Sequence, residues 1–148
     1  MQYFRKAIFS LAVFAVLSLI PSVASAQCDA AGFIDNCNSK LVSGYSFLKS
    51  FSIDPAKAGN GGKVEYSYVF SKDTSYLITL CGKDGDAKKL VVTLFDSNRK
   101  ELGSNLDKGS GAFFPAFGYK CSATGIYYLS YSYQGGGDCS GSVLGFKR

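Results

Sequence analysis

The 148-residue sequence contains no histidine and no tryptophan, and only three of its residues are proline. The absence of histidine excludes Ser-His-Asp and Cys-His nucleophile pairs, histidine acid–base catalysis and most zinc sites. The hydrophobic fraction of 47% is too high for an intrinsically disordered chain. Three prolines are too few for a collagen-like or proline-rich chain. What is left is a glycine-rich and aromatic-rich chain whose length fits one ordinary domain.

The first 26 residues have the pattern of a secretory signal peptide. Arg5 and Lys6 form a basic start, residues 8–20 are almost entirely apolar, and the segment closes on the small residues Ala24-Ser25-Ala26. The apolar run is shorter than the ~20 residues that span a bilayer. We therefore predict a secreted or periplasmic protein with one domain at 27–148 and no membrane span. Lipid attachment at Cys28 is a minor alternative, because Gln27 stands where such signals have a small residue.

The predicted mature chain carries a small positive net charge. Removing Arg5 and Lys6 from the 16 basic residues leaves 14, against 11 acidic residues, which is a net charge of +3. The basic residues are scattered and form no stripe or cluster, so a solvated surface of mixed charge is favoured over a nucleic-acid site. We predict no nucleic-acid partner.

All five cysteines lie in the predicted mature chain, which in an exported protein indicates disulfides. Five cysteines form at most two bridges and leave one thiol over, and the sequence does not determine the pairing. The positions weakly favour a bridge between the third and fourth cysteines at one end of a sandwich, with the fifth bonded to the first or second. The five positions are Cys28, Cys37, Cys81, Cys121 and Cys139.

The hydrophobic periodicity indicates one short helix followed by strands. Residues 29–41 place their apolar side chains on one stripe, which predicts a helix. After residue 45 the apolar period becomes two, in seven or eight short segments separated by turn residues. This spacing is typical of an all-β sandwich or barrel rather than of βαβ units.

Two connections are short enough to suggest hairpins. The strand at 64–70 and the strand at 76–80 are separated by a few polar residues, so we expect them to pair. The clear strand at 126–133 is followed by three glycines, and the segment 142–146 is expected to pair antiparallel with it. Pro115 implies a sheet edge or a bulge.

Three segments together resemble a known family. They are YSYVFSKDTSYLITLCG at 66–82, LVVTLFDSNRKELGSN at 90–105 and SATGIYYLSYSY at 122–133. This outline resembles the bacterial pre-peptidase C-terminal domains and, more loosely, CUB-type sandwiches. The resemblance implies a jelly-roll-like antiparallel β-sandwich that is exported and non-catalytic. The acidic pairs that often hold calcium in that family are not clearly reproduced here.

The candidate site residues are two aromatics and two aspartates. Tyr128 and Phe114 are predicted on the strand face opposite to their apolar neighbours, where an aromatic ring can stack on a sugar or anchor a protein. The alternative is that both rings fill the contact with the second sheet or cover a sheet edge. Asp84 and Asp86 flank Gly85 and are a weak candidate for calcium or for an acid–base pair, with an ordinary turn favoured.

These observations predict a non-catalytic protein without a cofactor, which binds a protein or a glycan at the cell envelope or outside the cell. A His-free hydrolase using an Asp pair, with Asp84 or Asp86 close to a second acid, is an alternative from another class. A structural envelope component that self-associates through an exposed strand edge is a third. The sequence identifies neither the ligand nor the oligomeric state.

Overall fold

The computed structural model describes residues 28–83, 85, 87 and 89–148. The predicted signal peptide lies outside these residues, and so do Asp84 and Asp86. The described chain forms one α-helix, α1 (Ala31–Ser39), a single 3-10 turn (Pro55–Lys57) and eight strands. The strands are β1 (Ser46–Ile53), β2 (Lys63–Phe70), β3 (Ser75–Gly82), β4 (Leu90–Phe95), β5 (Glu101–Ser104), β6 (Ala116–Lys120), β7 (Gly125–Tyr133) and β8 (Ser140–Lys147).

The eight strands form two four-stranded sheets. Sheet A has the order β1-β8-β3-β6, sheet B has the order β2-β7-β4-β5, and all neighbours are antiparallel. Every connection crosses from one sheet to the other except the β4–β5 turn, which makes this a double-sheet jelly roll. The prediction of an all-β, jelly-roll-like sandwich with a short N-terminal helix is confirmed.

Both predicted hairpins are wrong, because the strands concerned belong to opposite sheets. Phe70 at the end of β2 stacks on Tyr76 of β3, with ring centroids 3.8 Å apart. The Tyr131 hydroxyl of β7 donates a hydrogen bond to Ser142 Oγ of β8 at 3.0 Å. These contacts run across the core rather than along a sheet, since large inward side chains on consecutive strands are buried best when the strands face each other.

The core lies between the sheets and is built from alternate side chains. On β7 the inward residues Tyr127, Leu129 and Tyr131 are buried. Strand β4 is buried on both faces over most of its length, as its continuous apolar sequence predicts, and it lies between β7 and β5. The expectation for Pro115 is also confirmed, because this residue directly precedes β6, one of the two edge strands of sheet A.

Helix α1 covers the outer face of sheet A. It packs against β8 and β3, and its apolar stripe surrounds a small second core of Cys37, Cys81 and Val143. A Cβ on Gly141 would lie 2.9 Å from the Ile34 side chain and 3.2 Å from the Cys81 sulfur. Glycine at this position therefore lets the helix approach the sheet closely.

Two disulfides hold the N-terminal part of the chain to sheet A. Cys28 bonds to Cys139 and Cys37 bonds to Cys81, while Cys121 is free and buried. Pairing of Cys139 with Cys28 is one of the two expected options. The expected Cys81–Cys121 bridge is wrong, because Cys81 lies on the outer face of sheet A beneath α1, whereas Cys121 belongs to the core between the sheets.

Candidate functional site

The outer faces of the two sheets are unequally covered. Helix α1 packs on β8, β3 and β1, which are all strands of sheet A. On sheet B, exposed apolar side chains remain on the outer side of the two neighbouring strands β2 and β7. We call this outer side of sheet B the open face.

Val69 and Ile126 form the apolar part of the open face. They stand directly opposite each other in the β2–β7 register, and their exposed fractions are 57% and 47%. Directly opposite residues in an antiparallel pair have Cβ atoms about 5 Å apart, so the two side chains make one continuous apolar spot. Exposed apolar patches on a soluble domain often mark interaction sites.

Tyr128 lies next to this spot on the same face. It is half-buried, and it stands opposite Ser67 of β2 and Phe95 of β4. Its ring is covered from outside by Arg99, whose guanidinium carbon lies 3.7 Å from the ring centroid. Arg99 Nη1 also donates a hydrogen bond to Glu65 Oε2 at 2.7 Å, and this bond raises the pKa of the guanidinium.

The turn between β4 and β5 positions Arg99. Asp96 Oδ1 accepts the backbone N–H groups of Asn98 and Lys100, both at 2.9 Å. Arg99 itself adopts the left-handed conformation, with φ = 64°. Because the Asp96 carboxylate accepts these two backbone N–H groups, the segment is an ordinary Asx turn.

A cleft of about 200 Å³ borders the open face beside Ile126. Its walls are the turn at 96–98 and the turn at 122–125, and the Tyr119 and Tyr127 side chains also line it. The Tyr127 hydroxyl donates to the Ala123 carbonyl at 2.7 Å. The cleft is large enough for one side chain of a partner.

Phe114 lies elsewhere, on a loop held by a buried asparagine. Asn105 is 2% exposed, its Oδ1 accepts Val92 N–H at 2.8 Å, and its Nδ2 donates to the carbonyls of Leu90 and Phe114, both at 3.0 Å. This arrangement leaves the Phe114 ring 51% exposed. The Asn105 side chain thereby connects the Phe114 loop to the start of β4 by hydrogen bonds.

The structure does not bring Tyr128 and Phe114 together. Tyr128 pairs with Phe95 at the end of β4, whereas Phe114 is bonded through Asn105 to its start. The two ends of β4 are about 17 Å apart, since a strand rises about 3.3 Å per residue. The two predicted aromatic residues therefore belong to two separate surfaces.

The remaining chemical candidates find no support within the described residues. Asp84 and Asp86 lie outside that part of the chain, so the calcium and acid-pair predictions stay predictions. Within it, no group of three or more His, Cys, Asp or Glu side chains is arranged to hold a metal ion. No helix of the same residues is long and apolar enough to cross a bilayer.

The comparisons with known proteins assign no family. The chain matches no protein-family model and no curated protein. Among solved structures, it is similar to a periplasmic inhibitor of g-type lysozyme from Aeromonas hydrophila, at 12% identity and a TM-score of 0.45. This match covers 73% of the present chain and 90% of the inhibitor. The resemblance to pre-peptidase C-terminal domains stays a prediction.

Three residues of the open face were missed by sequence reasoning. Val69, Ile126 and Arg99 were not among the predicted site residues, although the alternation in β2 already places Val69 on the outward side with Glu65. The position of Arg99 over Tyr128 carries no sequence signal, because it depends on the pairing of β4 with β7.

Proposed function

We propose that the protein is an exported, non-catalytic binding module that recognises a protein partner through the open face of sheet B. Two disulfides among five cysteines support export, because such bonds persist in oxidising compartments. The observation that carries the proposal is the unequal coverage of the two sheets, which leaves Val69, Ile126 and Tyr128 on a surface that no helix or strand of the described residues covers.

The chemistry of the open face favours a protein over a glycan. A sugar ring stacks on a free aromatic face, but the outer side of the Tyr128 ring is already occupied by Arg99. Tyrosine and arginine are among the residue types that dominate protein–protein binding energy, and here they lie beside the apolar spot of Val69 and Ile126. The neighbouring cleft offers space for an anchoring side chain of the partner.

Site-specific photo-crosslinking in the exporting cell tests this proposal. A photoreactive amino acid is placed at Ile126 or Tyr128 on the open face. For comparison it is placed at Phe114 and at Val42, which are 51% and 57% exposed. We expect one protein adduct shared by the two open-face positions and absent at Val42. The adduct is identified by mass spectrometry, and its protein is then purified.

Binding of that purified protein is measured by calorimetry. We expect Ile126→Glu to weaken binding by about tenfold or more, because a carboxylate is forced against a buried apolar contact, while Val42→Glu has no effect. Adducts at every position alike, or an adduct only at Phe114, would refute the open face as the site. Binding of immobilised glycans that survives Ile126→Glu would refute the choice of partner class.

A further inference from the structure

The four edges of the two sheets differ in how they are protected. Strand β1 contains a bulge between Phe47 and Lys49, and Cys28 Sγ lies 3.5 Å from the carbonyl of Ile53 at its end. Strand β6 is five residues long and follows Pro115, while β5 has only four residues and a register shift. Short strands, bulges, proline, charged side chains and covering segments are the devices that keep sheet edges from pairing.

Among the residues that the structure describes, strand β2 carries only one of these devices, the charged side chains Lys63 and Glu65 in its first half. It has eight residues, contains no proline and pairs with β7 in one uninterrupted register. The carbonyl of Lys63 accepts the N–H of Gly59 at 2.9 Å, so the backbone groups of Lys63 are directed away from β7. Because these directions alternate along a strand, Glu65, Ser67 and Val69 also present their N–H and C=O groups outward.

We propose that this edge pairs with β2 of a second copy of the chain, antiparallel, with Ser67 on the two-fold axis. In this register Ser67 faces Ser67, and Glu65 faces Val69 of the second copy. All three outward residues then exchange backbone hydrogen bonds. On the inner side, Tyr66 stands opposite Tyr68 of the second copy, which is a favourable aromatic cross-strand pair.

The neighbouring registers are less favourable. Centring the axis on Glu65 places two carboxylates directly opposite each other, which is destabilising. Centring it on Tyr66 requires the Lys63 carbonyl, which already accepts a hydrogen bond from Gly59. Centring it on Tyr68 places Glu65 opposite Ser71, whose N–H already donates to the Tyr76 hydroxyl at 2.8 Å. The charge pattern and the free backbone groups therefore favour the Ser67 register.

The resulting dimer has a continuous eight-stranded sheet. The interface is isologous, so each copy contributes the same strand and neither copy keeps a free β2 edge. The outer edges of the joined sheet are the short, irregular β5 strands. Because Val69 lies on β2, the dimer joins the open faces of the two copies into one longer surface. This inference goes beyond the proposed function, since it requires no partner protein and its test does not involve one.

Sedimentation velocity on the purified, disulfide-bonded protein measures the association over micromolar to millimolar concentrations. The matched variants are Val69→Glu and Ile126→Glu, which introduce the same charge at two directly opposed and similarly exposed positions. Only Val69 lies on the edge strand, where a glutamate would stand directly opposite Glu65 of the second copy, and two opposed carboxylates are destabilising. We expect a concentration-dependent dimer in the wild type and in Ile126→Glu, and a monomer in Val69→Glu. Circular dichroism confirms that each variant is folded.

A cysteine variant tests the register. In Ser67→Cys the two Cα atoms across the axis are about 5.5 Å apart, which a disulfide spans. We expect mild oxidation to give a covalent dimer, and Ser97→Cys on the exposed β4–β5 turn to give none. A wild type that stays monomeric at every concentration refutes the proposal, as does a dimer lost equally in both glutamate variants. A Ser67→Cys protein that dimerises but forms no covalent crosslink on oxidation refutes the register.

Discussion

The guanidinium carbon of Arg99 lies 3.7 Å from the centroid of the Tyr128 ring, and the same guanidinium is hydrogen-bonded to Glu65. These three residues come from three different segments of sheet B. The contact sets the chemistry of the open face, because it replaces a bare aromatic ring by a charged, planar group that can still donate hydrogen bonds.

Removing Arg99 is expected to uncover the Tyr128 ring. We predict that Arg99→Ala increases hydroxyl-radical labelling of Tyr128, measured by mass spectrometry. Arg99→Lys is expected to behave like the alanine variant, because the lysine ammonium group is not planar and cannot stack flat on the Tyr128 ring. Glu65→Gln serves as the control, since it removes the ion pair and keeps the stacked group. Unchanged labelling in Arg99→Ala would show that the contact does not persist in solution.

Replacing Asn105 is expected to destabilise the fold. In Asn105→Ala the buried Val92 N–H and Leu90 carbonyl lose their side-chain partner, which we expect to cost about 3 kcal/mol in the free energy of unfolding. Urea unfolding measures this loss, and the exposed turn residue Asn98 supplies the control variant Asn98→Ala. An Asn105 variant as stable as the wild type would contradict the role of this side chain.

The two disulfides are expected to differ in their resistance to reduction. Cys37 and Cys81 are completely buried, whereas Cys28 and Cys139 are half-buried. We predict that a mild reductant opens Cys28–Cys139 first, as detected by alkylation and mass spectrometry. Loss of either bridge is expected to lower stability by about 4 to 5 kcal/mol, from the long loops that they close. Simultaneous reduction of both bridges would argue against this order.

Stability is expected to fall in alkali because of Tyr131. Burial raises the pKa of its phenol, and the hydrogen bond to Ser142 opposes this shift only in part. An unfolded tyrosine ionises near pH 10, whereas the buried phenol stays neutral to a higher pH. The contribution of the neutral Tyr131 to the free energy of unfolding is therefore fully present below pH ~10 and is lost as the pH rises above it. Denaturant unfolding as a function of pH measures the effect.

Tyr131→Phe is the matched variant for this pH dependence. It is expected to cost about 1 kcal/mol at neutral pH, because Ser142 loses its partner, and to show a shallower alkaline decline. Tyr131→Phe combined with Ser142→Ala is expected to recover much of the neutral loss. An alkaline decline that is as steep in both variants as in the wild type would assign the effect to other groups.

The location of the strands and the direction of their side chains were predictable from the sequence. The period of two along β7 places Tyr127 and Tyr131 inward and Tyr128 outward, as the structure confirms. The pairing of strands was not predictable, because an inward side chain can be buried by a strand in the same sheet or in the opposite one. Both hairpin predictions failed for this reason.

The cysteines likewise separate what was predictable from the sequence from what was not. The sequence by itself determined that two bridges were available and that the chain is an all-β sandwich, since composition and periodicity are local properties. Only the tertiary structure decided that Cys81 bonds to Cys37 and that Arg99 covers Tyr128. Both contacts join residues far apart in the chain, and their geometry depends on the strand order of the sheets rather than on any local pattern.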